Sequence, residues 1–136
     1  MHEWALVDSI ASAAQEEAAR NGLKKVSSVV IVLGELQNID AKASVEIFRD
    51  IRLLKKESLH GAKLVVKTEK AAFRCRACGK DFTMRTGRKM NHEQSEAVHF
   101  LPEMAHVFLQ CPKCASRDFE ITKGRGVYIG ELRGNK

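Results

Sequence analysis

The four cysteines of the sequence fall into two pairs of identical spacing, Cys75-Arg76-Ala77-Cys78 and Cys111-Pro112-Lys113-Cys114. Two intervening residues let both thiolates of a pair point at one ion, and two such pairs complete the tetrahedral all-sulfur shell that zinc prefers. A closed shell of four thiolates leaves no position for a reactive water, so a zinc held here is structural rather than catalytic. Iron suits the same tetrahedron. A disulfide or a thioredoxin-like redox pair needs a secreted setting or a cysteine at a helix N-terminus, and neither context is visible. Gly79 follows the first pair, where the backbone must turn, while Ala115 stands in the matching place after the second. Phe73, Phe82, Phe108 and Phe119 flank the pairs as an apolar cover. Residues 79 to 110 separate the pairs, a longer interval than the roughly 15–20 residues common in zinc ribbons.

The other residues with chemistry of their own are the first three, Met1-His2-Glu3. Read alone, such a segment is most simply a disordered end. Yet an α-amine, the following backbone amides and the His2 imidazole can close adjacent chelate rings and present up to four nitrogens in a plane. That arrangement suits Ni(II) or Cu(II), and copper binds it more tightly.

These groups must be positioned by a small fold. Val7, Ile10, Ala11, Ala14 and Ala18 recur at helical spacing, and Asn21-Gly22 supplies a stop. Residues 26 to 33 are mostly β-branched or aliphatic and predict a buried strand that ends at Gly34. Asp40 predicts the N-cap of a second helix with Val45, Ile47, Phe48, Ile51 and Leu54 as its apolar stripe, broken at His60-Gly61. Residues 62 to 68 alternate as a strand with one covered face. Beyond Phe73 helical periodicity fades, and short strand-like pieces flank the cysteines. A last strand, Val127-Tyr128-Ile129, follows Lys123-Gly124-Arg125-Gly126 and is expected to rejoin the first sheet.

The expected fold is therefore α+β: a small sheet of about three strands packed by two helices, with a zinc-ribbon module of rubredoxin-like knuckles inserted before the last strand. Residues 1–70 plus 124–136 form one expected domain and residues 71–123 the zinc-binding one. At 136 residues the chain is too short for a large multidomain enzyme. Its longest aliphatic run, Val29 to Leu33, falls far short of a membrane span, and no signal-peptide pattern opens it, so a cytoplasmic protein is expected.

Residues 1–70 carry 11 Lys/Arg against 10 Asp/Glu and residues 71–136 carry 12 against 7, so the net +6 is concentrated in the second half. Arg74, Arg76, Lys80, Arg85, Arg88 and Lys89 surround the first pair and motivate a rival reading, a zinc-ribbon nucleic-acid adaptor. Against it, the aromatics interleaved with them, Phe73 and Phe82, are needed to cover the knuckle and so are withheld from base stacking.

Met1-His2-Glu3-Trp4 followed by a helix, the Gly34-Glu35-Leu36 turn, two Cys-x-x-Cys knuckles and Gly124-Arg125-Gly126-Val127 together resemble the HypA/HybF family of hydrogenase nickel-insertion proteins, over essentially the whole chain. The resemblance implies a nickel metallochaperone rather than an enzyme. It would pass Ni(II) as cargo to the precursor of a [NiFe]-hydrogenase large subunit, working with the nucleotide-hydrolysing partner HypB, and a homodimer is compatible with it. It implies nickel ligation by Met1, His2 and Glu3 and structural zinc on Cys75, Cys78, Cys111 and Cys114. The long interval resembles the archaeal-type branch, in which a histidine matching His99 completes the nickel shell. His92, His99 and His106 are spaced by seven, but Pro102 argues against one continuous helix through all three. For His92, His106 and His60 the expectation is an exposed loop position rather than ligation.

Overall fold

The computed structural model describes residues 3–84 and 90–136. Helix α1 (Glu3–Arg20) precedes β1 (Lys25–Gly34), a 3-10 turn (Glu35–Gln37), α2 (Ala41–Ile51), two more 3-10 turns (Arg52–Leu54 and Glu57–Leu59) and β2 (Lys63–Glu69). Then come β3 (Ala72–Cys75), β4 (Asp81–Thr83), α3 (His92–Phe100), a 3-10 turn (Pro102–Met104), α4 (Ala105–Phe108), β5 (Phe119–Lys123) and β6 (Val127–Asn135). The strands form two three-stranded sheets, ordered β2-β1-β6 and β4-β3-β5. This is the mixed α+β class expected, and the last strand does join the first sheet beside β1. The chain divides into two compact units, one of Met1–Leu33, Ile39–Lys67 and Tyr128–Lys136, the other of Gly34–Asn38 and Thr68–Val127.

In the first unit α1 buries Val7, Ile10, Ala11, Ala14 and Ala18, the stripe read from the sequence. It ends because Gly22 takes a φ of 72°, which lets Leu23 N donate to Ala18 O and Gly22 N to Ala19 O. Those paired bonds satisfy carbonyls that a helix end otherwise leaves open. Asp40 caps α2 with one carboxylate oxygen, which accepts from the amides of Lys42 and Ala43 at 2.9 and 3.1 Å.

Helix α2 stops at Ile51, earlier than its apolar pattern suggested, and Leu54 is 75% exposed rather than part of the core. Polar contacts with α1, far away in the chain, explain the change. The Lys55 ammonium lies 2.8 Å from Asp8 and donates to Ser12 Oγ, and the Lys56 amide donates to Gln15 Oε1, all three acceptors being on α1. These bonds hold the chain in turns that follow α2, after which Leu59 and Ala62 are fully buried.

The second unit has its own core of Leu36, Ala71, Phe73, Cys75, Phe82, Val98, Ala105, Leu109, Cys111 and Phe119. Its central strand β3 pairs antiparallel with both neighbours: Phe73 faces Phe82 on β4 and Ile121 on β5, and Cys75 faces Phe119. A bulge falls between Ala72 and Phe73. The interval between the cysteine pairs contains helices, which the sequence reading did not expect. Asn91 opens α3 with a capping box in which Asn91 Oδ1 accepts from Gln94 N and Gln94 Oε1 from Asn91 N. Leu101 closes it with an extended backbone before Pro102, as proline requires of the residue preceding it.

Candidate metal centre

Each knuckle turns by the same device. Gly79 N donates to Cys75 O while Cys75 N donates to Lys80 O, and in the second knuckle Ala115 N donates to Cys111 O while Cys111 N donates to Ser116 O, all at 2.9 Å. The residue after each second cysteine is left-handed, with φ of 78° at Gly79 and 62° at Ala115. The non-glycine at position 115 thus occupies the conformation that a glycine there would adopt without strain.

This geometry gathers the four sulfurs. Cys75 Sγ lies 3.5 Å from Cys114 Sγ and Cys78 Sγ 3.6 Å from Cys111 Sγ, so each close pair takes one sulfur from each knuckle. All four lie within 4.8 Å of one another. A tetrahedral ion with bonds of about 2.3 Å holds its sulfurs about 3.8 Å apart, and a disulfide needs about 2.05 Å. The donor set therefore fits one thiophilic cation. Cys75 and Cys111 are buried and Cys78 and Cys114 reach the surface. Among the described residues no other group of three or more His, Cys, Asp or Glu side chains gathers in this way.

The sulfurs are electrostatically unequal. A hydrogen bond from the Cys78 amide holds the Cys75 thiol below its ordinary value, against the effect of burial. Burial also opposes ionisation of Cys111, but the amides of Cys114 and Lys113 and its sulfur neighbours outweigh it and bring the thiol to about 6. At Cys114 the Ser116 amide favours the thiolate, yet the sulfurs of Cys75, Cys78 and Cys111, together with burial, push the thiol up to about 12. Like charges this close cannot all ionise without a counter-charge. A divalent cation at their centre would supply it.

Phe73, Phe82 and Phe119 cover the centre as a three-ring cluster with centroids 5.2 to 5.3 Å apart, and Phe108 packs against the same core. His106 belongs to this cover. Its ring stacks on Phe119 at 4.2 Å and its Nδ1 meets Arg117 O at 2.9 Å, a half-buried packing role in α4 in place of the exposed loop expected. His60 is exposed beside the Lys55 carbonyl, and His92 opens α3. His99 lies in the last turn of α3, Glu3 is the first residue of α1, and Met1 and His2 lie outside the described residues.

Of the basic residues behind the nucleic-acid reading, Arg74 pairs with Asp81 at 2.9 Å and Arg76 with Asp118 at 3.0 Å. Phe73 and Phe82 are buried. Arg85, Arg88 and Lys89 lie outside the described residues.

The Gly34-Glu35-Leu36 turn and Gly124-Arg125-Gly126 stand out in the sequence as motifs, but it shows neither that they bond to each other nor that Glu69 and Gln37 take part in holding the other end of the strands that carry this centre. Glu35 Oε1 accepts from Ala71 N at 2.8 Å, and Glu69 Oε1 accepts from Gly124 N at 3.0 Å. Leu36 N donates to Gly124 O, Gly34 N to Gly126 O, and Gln37 Nε2 to Arg125 O. The signal was the glycine pattern. A Cβ on Gly34 would lie 2.4 Å from Gly124 O, and one on Gly124 2.6 Å from Ala71 Cα.

A half-buried cluster of four sulfurs on a small α+β scaffold defines a protein able to hold one metal ion there. The family model described as "Hydrogenase/urease nickel incorporation, metallochaperone, hypA" matches residues 1–134. Relatives named hydrogenase maturation factor HypA, from Pyrococcus horikoshii and Thermococcus onnurineus, are each 43% identical over 100% of this chain and 97% of their own. The solution structure of the Ni metallochaperone HypA from Helicobacter pylori has the same fold, with a TM-score of 0.65 at 24% identity, covering 99% of this chain and 98% of that one. The chain belongs to the HypA family, nickel metallochaperones of hydrogenase maturation and not enzymes. No helix among the described residues is long and apolar enough to cross a membrane.

Proposed function

We propose that this protein binds Ni(II) through Met1, His2 and Glu3, with His99 as a further ligand, and delivers it in the cytoplasm to the large-subunit precursor of a [NiFe]-hydrogenase beside a HypB-like nucleotide-hydrolysing partner. Cys75, Cys78, Cys111 and Cys114 hold zinc as architecture in the ribbon domain, which also carries His99, while Met1, His2 and Glu3 belong to the α/β domain.

The observation that carries this reading is the match of a nickel-incorporation metallochaperone family model to residues 1–134, a range that takes in Met1, His2 and Glu3. An α-amine, the His2 amide and the His2 imidazole can close adjacent chelate rings on one ion and present nitrogens of the kind Ni(II) takes. Deprotonated amides also offset the positive end of the helix macrodipole, which by itself disfavours a cation. The amine and imidazole titrate ordinarily near 7.7–8.0 and 6.5, so acid competes with nickel and offers a route to release.

Nickel titration of the zinc-loaded protein, beside His2→Ala and a form with one residue added before Met1, tests this reading. Both changed proteins are expected to lose nickel binding. Parent-like affinity in both would refute the terminal site, and parent-like affinity in His99→Ala would remove His99 from it.

A further inference from the structure

The two strands that carry the cysteine centre are fastened at both ends. At one end β3 finishes on Cys75 opposite Phe119 of β5, inside the knuckles. At the other end, where Ala72 faces Lys123, the chain continues directly into Ala71 and Gly124. Those are the two residues whose amides Glu35 and Glu69 accept. Segment 34–38 completes the fastening, with Leu36 buried in the same core as Cys75 and Cys111 and its amide bonded to Gly124 O. Gly124, at a φ of 82°, packs so closely on fully buried Ala71 that no Cβ fits between them.

The place of this clasp in the chain gives it consequence. The chain passes between the two compact units at 33/34, 38/39, 67/68 and 127/128. Each of these crossings has a clasp residue beside it or one residue removed: Gly34, Gln37, Glu69 or Gly126. Both ends of a ribbon this small depend on the other, because a few short strands are marginal without fastening, and a coupling between two sites acts equally in both directions.

We propose that Glu35 and Glu69 are positioning residues for the cysteine centre, and that the clasp they form links occupancy of that centre to the order of every segment by which the chain crosses between its units. The carboxylates touch no ligand. They set where β3 starts and where β5 ends, and through those strands the spacing of the knuckles. Loss of the resident ion loosens the clasp, and loss of the clasp loosens the ion. The inference rests on the four cysteines holding a metal and not on the nickel site.

The test uses the full chain loaded with zinc, and follows zinc transfer to a chelator together with amide hydrogen exchange. Glu35→Ala and Glu69→Ala are expected to speed zinc loss by on the order of tenfold. Glu35→Gln and Glu69→Gln, whose carboxamide oxygens still accept the amide hydrogen, are expected to stay near the parent. In the parent, removing zinc is expected to raise exchange at the Ala71 and Gly124 amides while the Leu101 amide, bonded to Ala97 O at the end of α3, keeps its protection. Unchanged protection at Ala71 and Gly124, or equal loss at Leu101, would overturn the proposal, as would alanine variants that release zinc at the parent rate. Should the alanine variants not fold, the exchange comparison in the parent decides.

Discussion

Gly79 and Ala115 occupy one and the same left-handed position in two knuckles that are otherwise built alike, with φ of 78° and 62° and an identical amide bond back to the first cysteine. An alanine in this region pays a steric penalty that glycine does not, on the order of 1 kcal/mol. Ala115→Gly is therefore expected to stabilise the zinc-loaded protein by about that amount, read as a higher thermal midpoint and slower zinc loss. A variant no more stable than the parent would mean that the second knuckle carries no strain at Ala115.

The clasp gives an internal control within one tripeptide. Gly124→Ala places a methyl 2.6 Å from the Ala71 Cα at a positive φ, whereas a Cβ at Gly126 meets nothing within 4 Å. Backbone on backbone cannot yield as a flexible side chain can, so Gly124→Ala is expected to destabilise by about 1–3 kcal/mol or more and Gly126→Ala by a few tenths. Denaturant midpoints of the two variants check this. Equal effects would remove the close approach of Gly124 and Ala71 as a constraint.

Much of this was legible in the sequence, for reasons that differ by element. Helix α1, the Asp40 cap and β1 announce themselves because local periodicity and capping chemistry agree with the tertiary packing. The cysteine centre was legible because a metal needs ligands at fixed spacing. The end of α2 was not, since Lys55 is drawn to Asp8 and Ser12 by contacts some 40 residues distant in the chain. Helix α3 was overlooked although Asn91 and Gln94 spell a capping box, because its apolar stripe is weak and only Val98 is fully buried. The clasp was visible only as scattered glycines. Glu35 stood out only as part of the Gly34-Glu35-Leu36 turn and Glu69 not at all, because the amides they accept lie 36 and 55 residues along the chain.

Strong acid should weaken the hairpin that carries the opening knuckle. Arg74 and Asp81 face each other across β3 and β4, and the hydrogen bond from the Arg74 guanidinium, followed by its charge, holds the Asp81 carboxyl below its usual range. A carboxylate with a depressed folded-state pKa contributes stability above its unfolded value, near 3.9, and loses it as pH falls through the folded value. Stability of the parent should therefore fall with acid in that window, and Asp81→Asn should flatten this part of the profile while lowering stability at neutral pH. Both partners are well exposed, so the change at neutral pH is small. Thermal midpoints from pH 7 down to pH 3 measure it, and an unaltered slope in Asp81→Asn would assign the acid sensitivity to other groups.

The first turn of α1 sets a quantitative expectation for cargo binding. A cation held just ahead of Glu3 sits at the positive end of an 18-residue helix, whose dipole disfavours it by about 0.3–1 kcal/mol at an exposed site. Glu3 is the acidic residue of that turn, and its charge opposes the dipole whether or not its carboxylate touches the metal. Glu3→Gln removes the charge and keeps the backbone amide and the shape. If Glu3 acts through charge alone, nickel affinity should fall by about twofold to fivefold, and the loss should shrink as salt screens the field. A fall of a hundredfold or more that persists at high salt would instead make the Glu3 carboxylate a direct ligand. No change at either salt concentration would leave Glu3 with only its backbone in the site. Isothermal titration at two ionic strengths separates these outcomes, because a coordinate bond and a dipole interaction differ far more in their response to salt than in their sign.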